Sequence, residues 1–89
     1  MRIISQSGRI DIPYEVAAVY VEYESVIAKV GDERYAMGNY STEEKAVKSM
    51  EMLREKYLLY KSATNEKSFY EFFDNPKVFQ FPQDDEMEV

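Results

Sequence analysis

The stretch from Thr42 to Lys61 places the tightest limit on what this chain can fold into. Its apolar side chains recur at intervals of four, three, four and three residues, which lines them up along one side of an α-helix. Ser41 is a favourable N-cap, and Glu44 three residues later completes the pattern of a capping box. The stripe consists of Ala46, Met50, Leu53, Tyr57 and Tyr60. The sequence therefore predicts one long helix with a single apolar stripe.

Short segments of alternating apolar and polar residues precede this helix. Ile10 and Ile12 alternate with charged neighbours, and similar alternation recurs over residues 17–23, 24–30 and 33–40. Turn signals separate the segments at Ser7–Gly8, at Glu24–Ser25 and at Gly31–Asp32. The pattern predicts four or five short antiparallel strands arranged as a meander.

Residues after the helix complete the expected fold. The aromatic run at 69–73 is typical of a short second helix that stops before Pro76, and residues 77–82 alternate as a short closing strand. The predicted class is α+β: a small antiparallel meander packed by one long helix. Residues 1–82 form its single domain, and residues 83–89 are expected to be an acidic, mobile tail.

The charge balance narrows the classes of partner. The chain has 89 residues, with 17 acidic and 11 basic side chains and a net charge of −6. Such a chain repels a phosphate backbone, so direct binding of DNA or RNA is not expected. The acidity serves either solubility or mimicry of nucleic acid on a basic partner. Neither a membrane span nor a signal-peptide layout is recognisable, which predicts a cytoplasmic protein.

The residues needed for most enzyme chemistry are missing. The sequence contains no histidine and no cysteine, which removes imidazole and thiol catalysis and the common zinc ligands. The adjacent carboxylates at Asp84–Asp85 and Glu43–Glu44 fit an acidic tail and a first helical turn. No phosphate-binding loop or dinucleotide fingerprint is present. We therefore predict no catalytic residue, no metal site and no cofactor.

Aromatic residues are the informative excess, with eight tyrosines and five phenylalanines. These rings either fill a small core or form a recognition surface for nucleobases or proteins. Arginines among the predicted strands are either solvated or clamp a phosphate beside such rings. The candidate ligand-binding residues are Arg2, Arg9, Tyr20, Tyr23, Arg34 and Tyr35.

The helix carries more apolar residues than one sheet face needs. Its stripe packs on the protein's own sheet by default, but the surplus suggests a second buried surface. Self-association also compensates for the small core of a chain of this length. The sequence predicts a homo-oligomer, a dimer or higher. The candidate interface residues are Met52, Tyr57, Leu58, Leu59 and Tyr60.

Three blocks together resemble a group of small proteins from phages and prophages of Firmicutes. The blocks are "MRIISQSGRIDIPYE", "YSTEEKAVKSMEMLREKY" and "VFQFPQDDEMEV", and they span most of the chain. Members typically show SQxGxIDIPYE, YSTEEKA and FPxDDE at these places. The resemblance implies a phage protein in the cytoplasm of a bacterial host, acting by binding and opposing host defence. No functional residue is carried over from it.

Four hypotheses follow. The first is a binding protein that sequesters a nucleotide-derived immune signal, a cyclic dinucleotide or an ADP-ribose derivative, in a pocket between protomers. The second is an acidic inhibitor that docks on a nucleic-acid-binding defence effector. The third is an assembly or housekeeping protein of the phage, and the last is an enzyme. Salt dependence separates the second from the first, because mimicry weakens as ions screen the charges.

Overall fold

The computed structural model describes residues 1–63 and 77–87. Within these ranges the chain forms six strands, one α-helix and two short 3₁₀ turns, at Tyr14–Val16 and Asp84–Glu86. The strands are β1 (Arg2–Ile4), β2 (Asp11–Pro13), β3 (Ala18–Glu22), β4 (Ser25–Val30), β5 (Glu33–Asn39) and β6 (Val78–Gln80), and the helix is α1 (Glu43–Ala63).

The strands divide into two sheets of three. The first has the order β2–β1–β6, and the second has the order β3–β4–β5. In the first sheet Ile3 lies opposite Ile12 in antiparallel register and opposite Phe79 in parallel register. In the second, successive strands are antiparallel throughout. The α+β class, the long helix and the short closing strand are confirmed.

The expected single meander is replaced by these two sheets. Pro13 lies opposite Arg2 on an edge strand, where its missing N–H costs no ladder bond. The next backbone N–H, that of Tyr14, donates to Met1 O at 2.8 Å, and the 3₁₀ turn at Tyr14–Val16 begins there. Among the six described strands, only β3, β4 and β5 form a meander. The short second helix that the sequence predicts falls in residues 64–76, outside the described residues.

One core joins both sheets and the helix. Ile3 and Phe81 are almost fully buried, as are Ala46 and Leu53 of the predicted helical stripe. Val26, Ala28 and Met37 enter the same cluster from the second sheet. Phe79 and Phe81 are both buried, as alternation in the closing strand predicts, and their rings meet edge to face with centroids 5.1 Å apart.

Two-residue turns connect the strands of the second sheet. Gly31 has φ +59°, which suits the predicted Gly31–Asp32 turn. The preceding turn contains Tyr23 and Glu24 rather than Glu24 and Ser25, because Glu22 pairs directly with Ser25. Tyr23 has φ +56° and its side chain is 81% exposed. The alternation predicted over residues 17–23 therefore ends at Glu22, because Tyr23 belongs to the turn.

The helix begins one residue later than the capping pattern suggests. Thr42 Oγ1 accepts the backbone N–H of Lys45 at 3.2 Å, so Thr42 is the residue that caps α1. The predicted N-cap, Ser41, instead donates its backbone N–H to Asp84 Oδ1 at 2.7 Å and its hydroxyl to the same oxygen at 3.1 Å. The local pattern offered two adjacent hydroxyls, and a contact 43 residues away decided between them.

The acidic end of the chain is packed against the domain rather than extending as a tail. Asp84 accepts from Ser41 and lies 3.4 Å from Lys45 Nζ, while Met87 is buried. Gln83 Nε2 donates to the backbone oxygen of Gln6 at 2.8 Å. These contacts extend the domain to residue 87, beyond the expected boundary at 82.

No helix of the described part of the chain is long and apolar enough to cross a membrane.

Candidate functional site

The outer face of the second sheet brings together two of the predicted ligand-binding residues. Glu22 pairs with Ser25 across one two-residue turn, and Val30 pairs with Glu33 across the next, so both turns fix the register. As a result Arg34 on β5 lies one row from Tyr20 on β3, on the face away from Val26 and Ala28. We refer to Tyr20, Glu22 and Arg34 as the sheet-face cluster.

The sheet-face cluster is joined by short polar contacts across β4. Arg34 Nε donates to Tyr20 Oη at 2.9 Å, and Arg34 Nη2 donates to Glu22 Oε2 at 2.6 Å. The guanidinium carbon lies 5.9 Å from the centre of the Tyr20 ring, within reach of a cation–π attraction. Arg34 is therefore held in one orientation by a phenol and a carboxylate.

Arg34 stays protonated, and its guanidinium remains accessible to solvent. Its hydrogen bond to Tyr20, followed by the hydrogen bond and charge of Glu22, raises the pKa of Arg34 above the usual value for arginine. The side chains of Arg34 and Glu22 are about half exposed, at 50% and 47%. A guanidinium has five N–H donors, so three remain for a further acceptor. Glu22 is also the group that a negatively charged ligand has to compete with.

The other four predicted ligand-binding residues lie elsewhere. Arg2 is on β1 in the first sheet and bonds Asp11 at 2.7 Å through its Nε. Arg9 lies in the loop between β1 and β2, and Tyr23 lies at the tip of the β3–β4 turn. Tyr35 pairs with Ala28 and packs against the core, on the opposite face from Arg34. A single chain therefore unites two of the six predicted residues.

Glu22 is the member of the cluster that the sequence prediction missed. A usable signal exists, because Glu22 lies two residues after Tyr20 on the same strand and a period of two puts both on one face. An acidic neighbour at that spacing would have identified a partner for Arg34.

The predicted interface residues on α1 separate into two groups. Met52, Tyr57 and Tyr60 pack against the chain's own core. Tyr57 meets Tyr14 edge to face with ring centres 4.6 Å apart. Leu58 and Leu59, in contrast, are 67% and 50% exposed. The apolar surplus of the helix therefore reduces to these two leucines and the exposed Val47.

Metal-binding clusters were sought among the same residues. Over 1–63 and 77–87, no group of three or more acidic, histidine or cysteine side chains lies close enough together to hold a metal ion. The sheet-face cluster has only one carboxylate beside a cation, which suits an anionic or hydrogen-bonding ligand better than a metal.

Comparison of the chain with models of known protein families, with curated proteins and with solved structures gives no match.

Proposed function

We propose that this chain is a non-enzymatic binding protein that sequesters a nucleotide-derived signal through the sheet-face cluster. The observation that supports the proposal is the contact between Tyr20 and Arg34 on an exposed sheet face. An aromatic ring beside a guanidinium offers a stacking surface for a base and bidentate donors for a phosphate. The chemistry of the sheet-face cluster therefore matches a ligand that carries both a base and a phosphate.

The proposal gives each member of the cluster a role. Tyr20 stacks with the base, Arg34 binds the phosphate with its remaining donors, and Glu22 keeps Arg34 extended across the sheet before the ligand arrives. Preorganisation of this kind lowers the entropic cost of binding. The ligand classes are cyclic dinucleotides and ADP-ribose derivatives.

The cellular setting of the proposal comes from the sequence resemblance. A phage protein that sequesters such a signal in the cytoplasm of its bacterial host counters a host defence system that uses the signal. This setting comes from analogy with small phage proteins, and the binding chemistry does not depend on it.

Calorimetric titration of the purified chain with cyclic dinucleotides and with ADP-ribose tests the binding proposal. We expect one ligand to bind, and we expect Arg34→Gln to lose at least tenfold in affinity because a charge-assisted phosphate contact is removed. Arg9→Gln is the matched control, since it makes the same change in net charge in the loop of the other sheet. Absence of binding by every ligand, or equal losses in the two variants, contradicts the proposal.

A second candidate is an acidic inhibitor of a nucleic-acid-binding defence effector. It is favoured by the fixed position of the acidic end, where Asp84 is bonded to Ser41 and Lys45 at the start of α1. Carboxylates held in place are better suited to occupy a basic groove than carboxylates on a mobile tail. A nuclease-inhibition assay at rising salt tests it: inhibition that is absent or unaffected by salt contradicts this candidate.

A further inference from the structure

Strand β3 is an edge strand, and no other strand of the described residues pairs with its outer side. A two-residue turn makes Glu22 and Ser25 a hydrogen-bonded pair, so Tyr20 and Ala18 also direct their backbone groups toward β4. Val19 and Val21 consequently direct their N–H and C=O groups outward. In the part of the chain that the structure describes, these four groups have no hydrogen-bond partner.

The two edges of the second sheet are protected to different extents. On β5 the register shifts at Val26/Ile27, Met37 O accepts the backbone N–H of Gln6 at 2.8 Å, and the Asn39 N–H donates to Gln6 Oε1 at 2.8 Å. Proline, lysine and β-bulges are the usual features that prevent edge-to-edge pairing. Strand β3 contains none of the three. Pairing with another strand is therefore open at β3.

We propose that β3 pairs with β3 of a second copy of this chain, in antiparallel register about a two-fold axis at Tyr20. In this register Val19 lies opposite Val21 of the partner subunit, and the two residues exchange both of their backbone hydrogen bonds. The symmetric pair does the same, so all four outward groups of each copy are used. A register centred on Val21 would instead place Val19 opposite the turn residue Tyr23, whose φ of +56° removes it from the strand.

The side chains fit the same register. Glu22 faces Ala18 of the partner subunit, so no like charges lie directly opposite, and the two Tyr20 rings face each other at the axis. Beyond the paired residues, the exposed Val16 (59%) precedes β3 and the exposed Tyr23 (81%) follows it. The ends of the seam therefore lie next to apolar side chains that one chain leaves in water.

The pairing is independent of the proposed ligand but adds to its site. The pairing joins the β3–β4–β5 sheets of the two copies into one sheet of six strands. The two sheet-face clusters then lie on the same face of that sheet and are related by the two-fold axis. A ligand that itself has two-fold symmetry then meets two Tyr20 rings and two Arg34 side chains. The dimer is tested without any ligand, so its failure is separate from a failure of the binding proposal.

Sedimentation equilibrium of the full chain, from low micromolar to near millimolar concentration, tests the pairing. We expect a reversible dimer with twice the 10.5 kDa mass of the monomer. A monomer at every concentration overturns the proposal.

Position 18 gives a matched pair of variants for the register. Ala18 is exposed and lies opposite Lys29 of its own sheet. Ala18→Glu places like charges opposite each other at both ends of the seam, and we expect the dissociation constant to rise by about 2- to 30-fold. Ala18→Lys places opposite charges there and should leave the dissociation constant unchanged or lower it. The stability of the single chain should change in the opposite sense, because Lys29 attracts a glutamate at position 18 and repels a lysine there. Thermal unfolding measures this effect on the single chain and so separates it from the effect on dimer affinity.

Two further variants identify the surface that pairs. Val19→Pro removes an outward N–H without removing a bond to β4, and it should weaken the dimer. Leu58→Glu changes the exposed leucine on α1 and should leave the dimer intact. A dimer that survives Ala18→Glu and Val19→Pro but is lost in Leu58→Glu contradicts the proposal and assigns the interface to the helix.

Discussion

Gln6 offers the most direct test of how the two sheets and the chain end are held together. Its backbone N–H and its Oε1 bond Met37 and Asn39 of β5. Its Nε2 donates to Pro82 O at 3.0 Å, and its backbone oxygen accepts from Gln83. Gln6, the second residue after β1, therefore contacts the second sheet and the C-terminal segment at the same time.

We predict that Gln6→Ala lowers the free energy of unfolding by about 1–3 kcal/mol. The substitution removes two side-chain hydrogen bonds, each of which contributes about 0.5–1.5 kcal/mol net. The backbone bonds of residue 6 remain, and water can reach the exposed Asn39, which places the expected cost in the lower half of the range. For a domain of this size each kcal/mol corresponds to about 4–8 °C in melting temperature.

Urea denaturation followed by circular dichroism measures this difference. Gln80→Ala is the matched control, because it shortens the same side chain but removes only one bond, the 3.3 Å contact to Ser5 O. We expect the control to change the free energy of unfolding by less than about 1 kcal/mol. Equal effects in the two variants, or no effect at Gln6, would refute the role given to Gln6.

Three other predictions address the packing, the cap and the acidic end. Gly38→Ala should cost about 1–3 kcal/mol in urea denaturation, because its Cβ would lie 2.8 Å from Cε2 of the buried Tyr40 ring; unchanged stability contradicts this. Thr42→Ala should cost about 1 kcal/mol and more than Ser41→Ala does in the same assay, and the reverse order would restore Ser41 as the cap. The backbone N–H of Ser41 lowers the pKa of Asp84, so Asp84 contributes stability above pH 3.8, its ordinary pKa, and loses that contribution as the pH falls through the lower folded value. The gap in melting temperature between the wild type and Asp84→Asn should therefore shrink in acid, and a constant gap from neutral to acidic pH refutes the linkage.

Local signals in the sequence were sufficient for the elements that depend on nearby residues. The period of the stripe predicted α1 within two residues of its observed ends, and Gly31 marked its turn because the positive φ there favours glycine. The cap was missed by one position, since the choice between Ser41 and Thr42 depends on Asp84. Short-range patterns contain no information on that contact.

The pairing of strands that are distant in the sequence could not be predicted from these local signals. The parallel contact between Ile3 and Phe79 joins residues 76 positions apart, and alternation alone does not say which strand lies beside which. The candidate site shows the same limit: residue type selected Tyr20 and Arg34, but only the register of two hairpins brought them together and placed Tyr35 on the other face.

We propose above that the sheet-face cluster binds a nucleotide-derived ligand through Arg34. The most direct measurement is an NMR titration that follows the Arg34 Nε–H signal as a cyclic dinucleotide or ADP-ribose is added, with the Arg9 Nε–H signal as the internal reference. We expect the Arg34 signal to move progressively and saturate while the Arg9 signal stays in place. An Arg34 signal that remains fixed up to millimolar ligand, or that moves no more than the Arg9 signal, would contradict it.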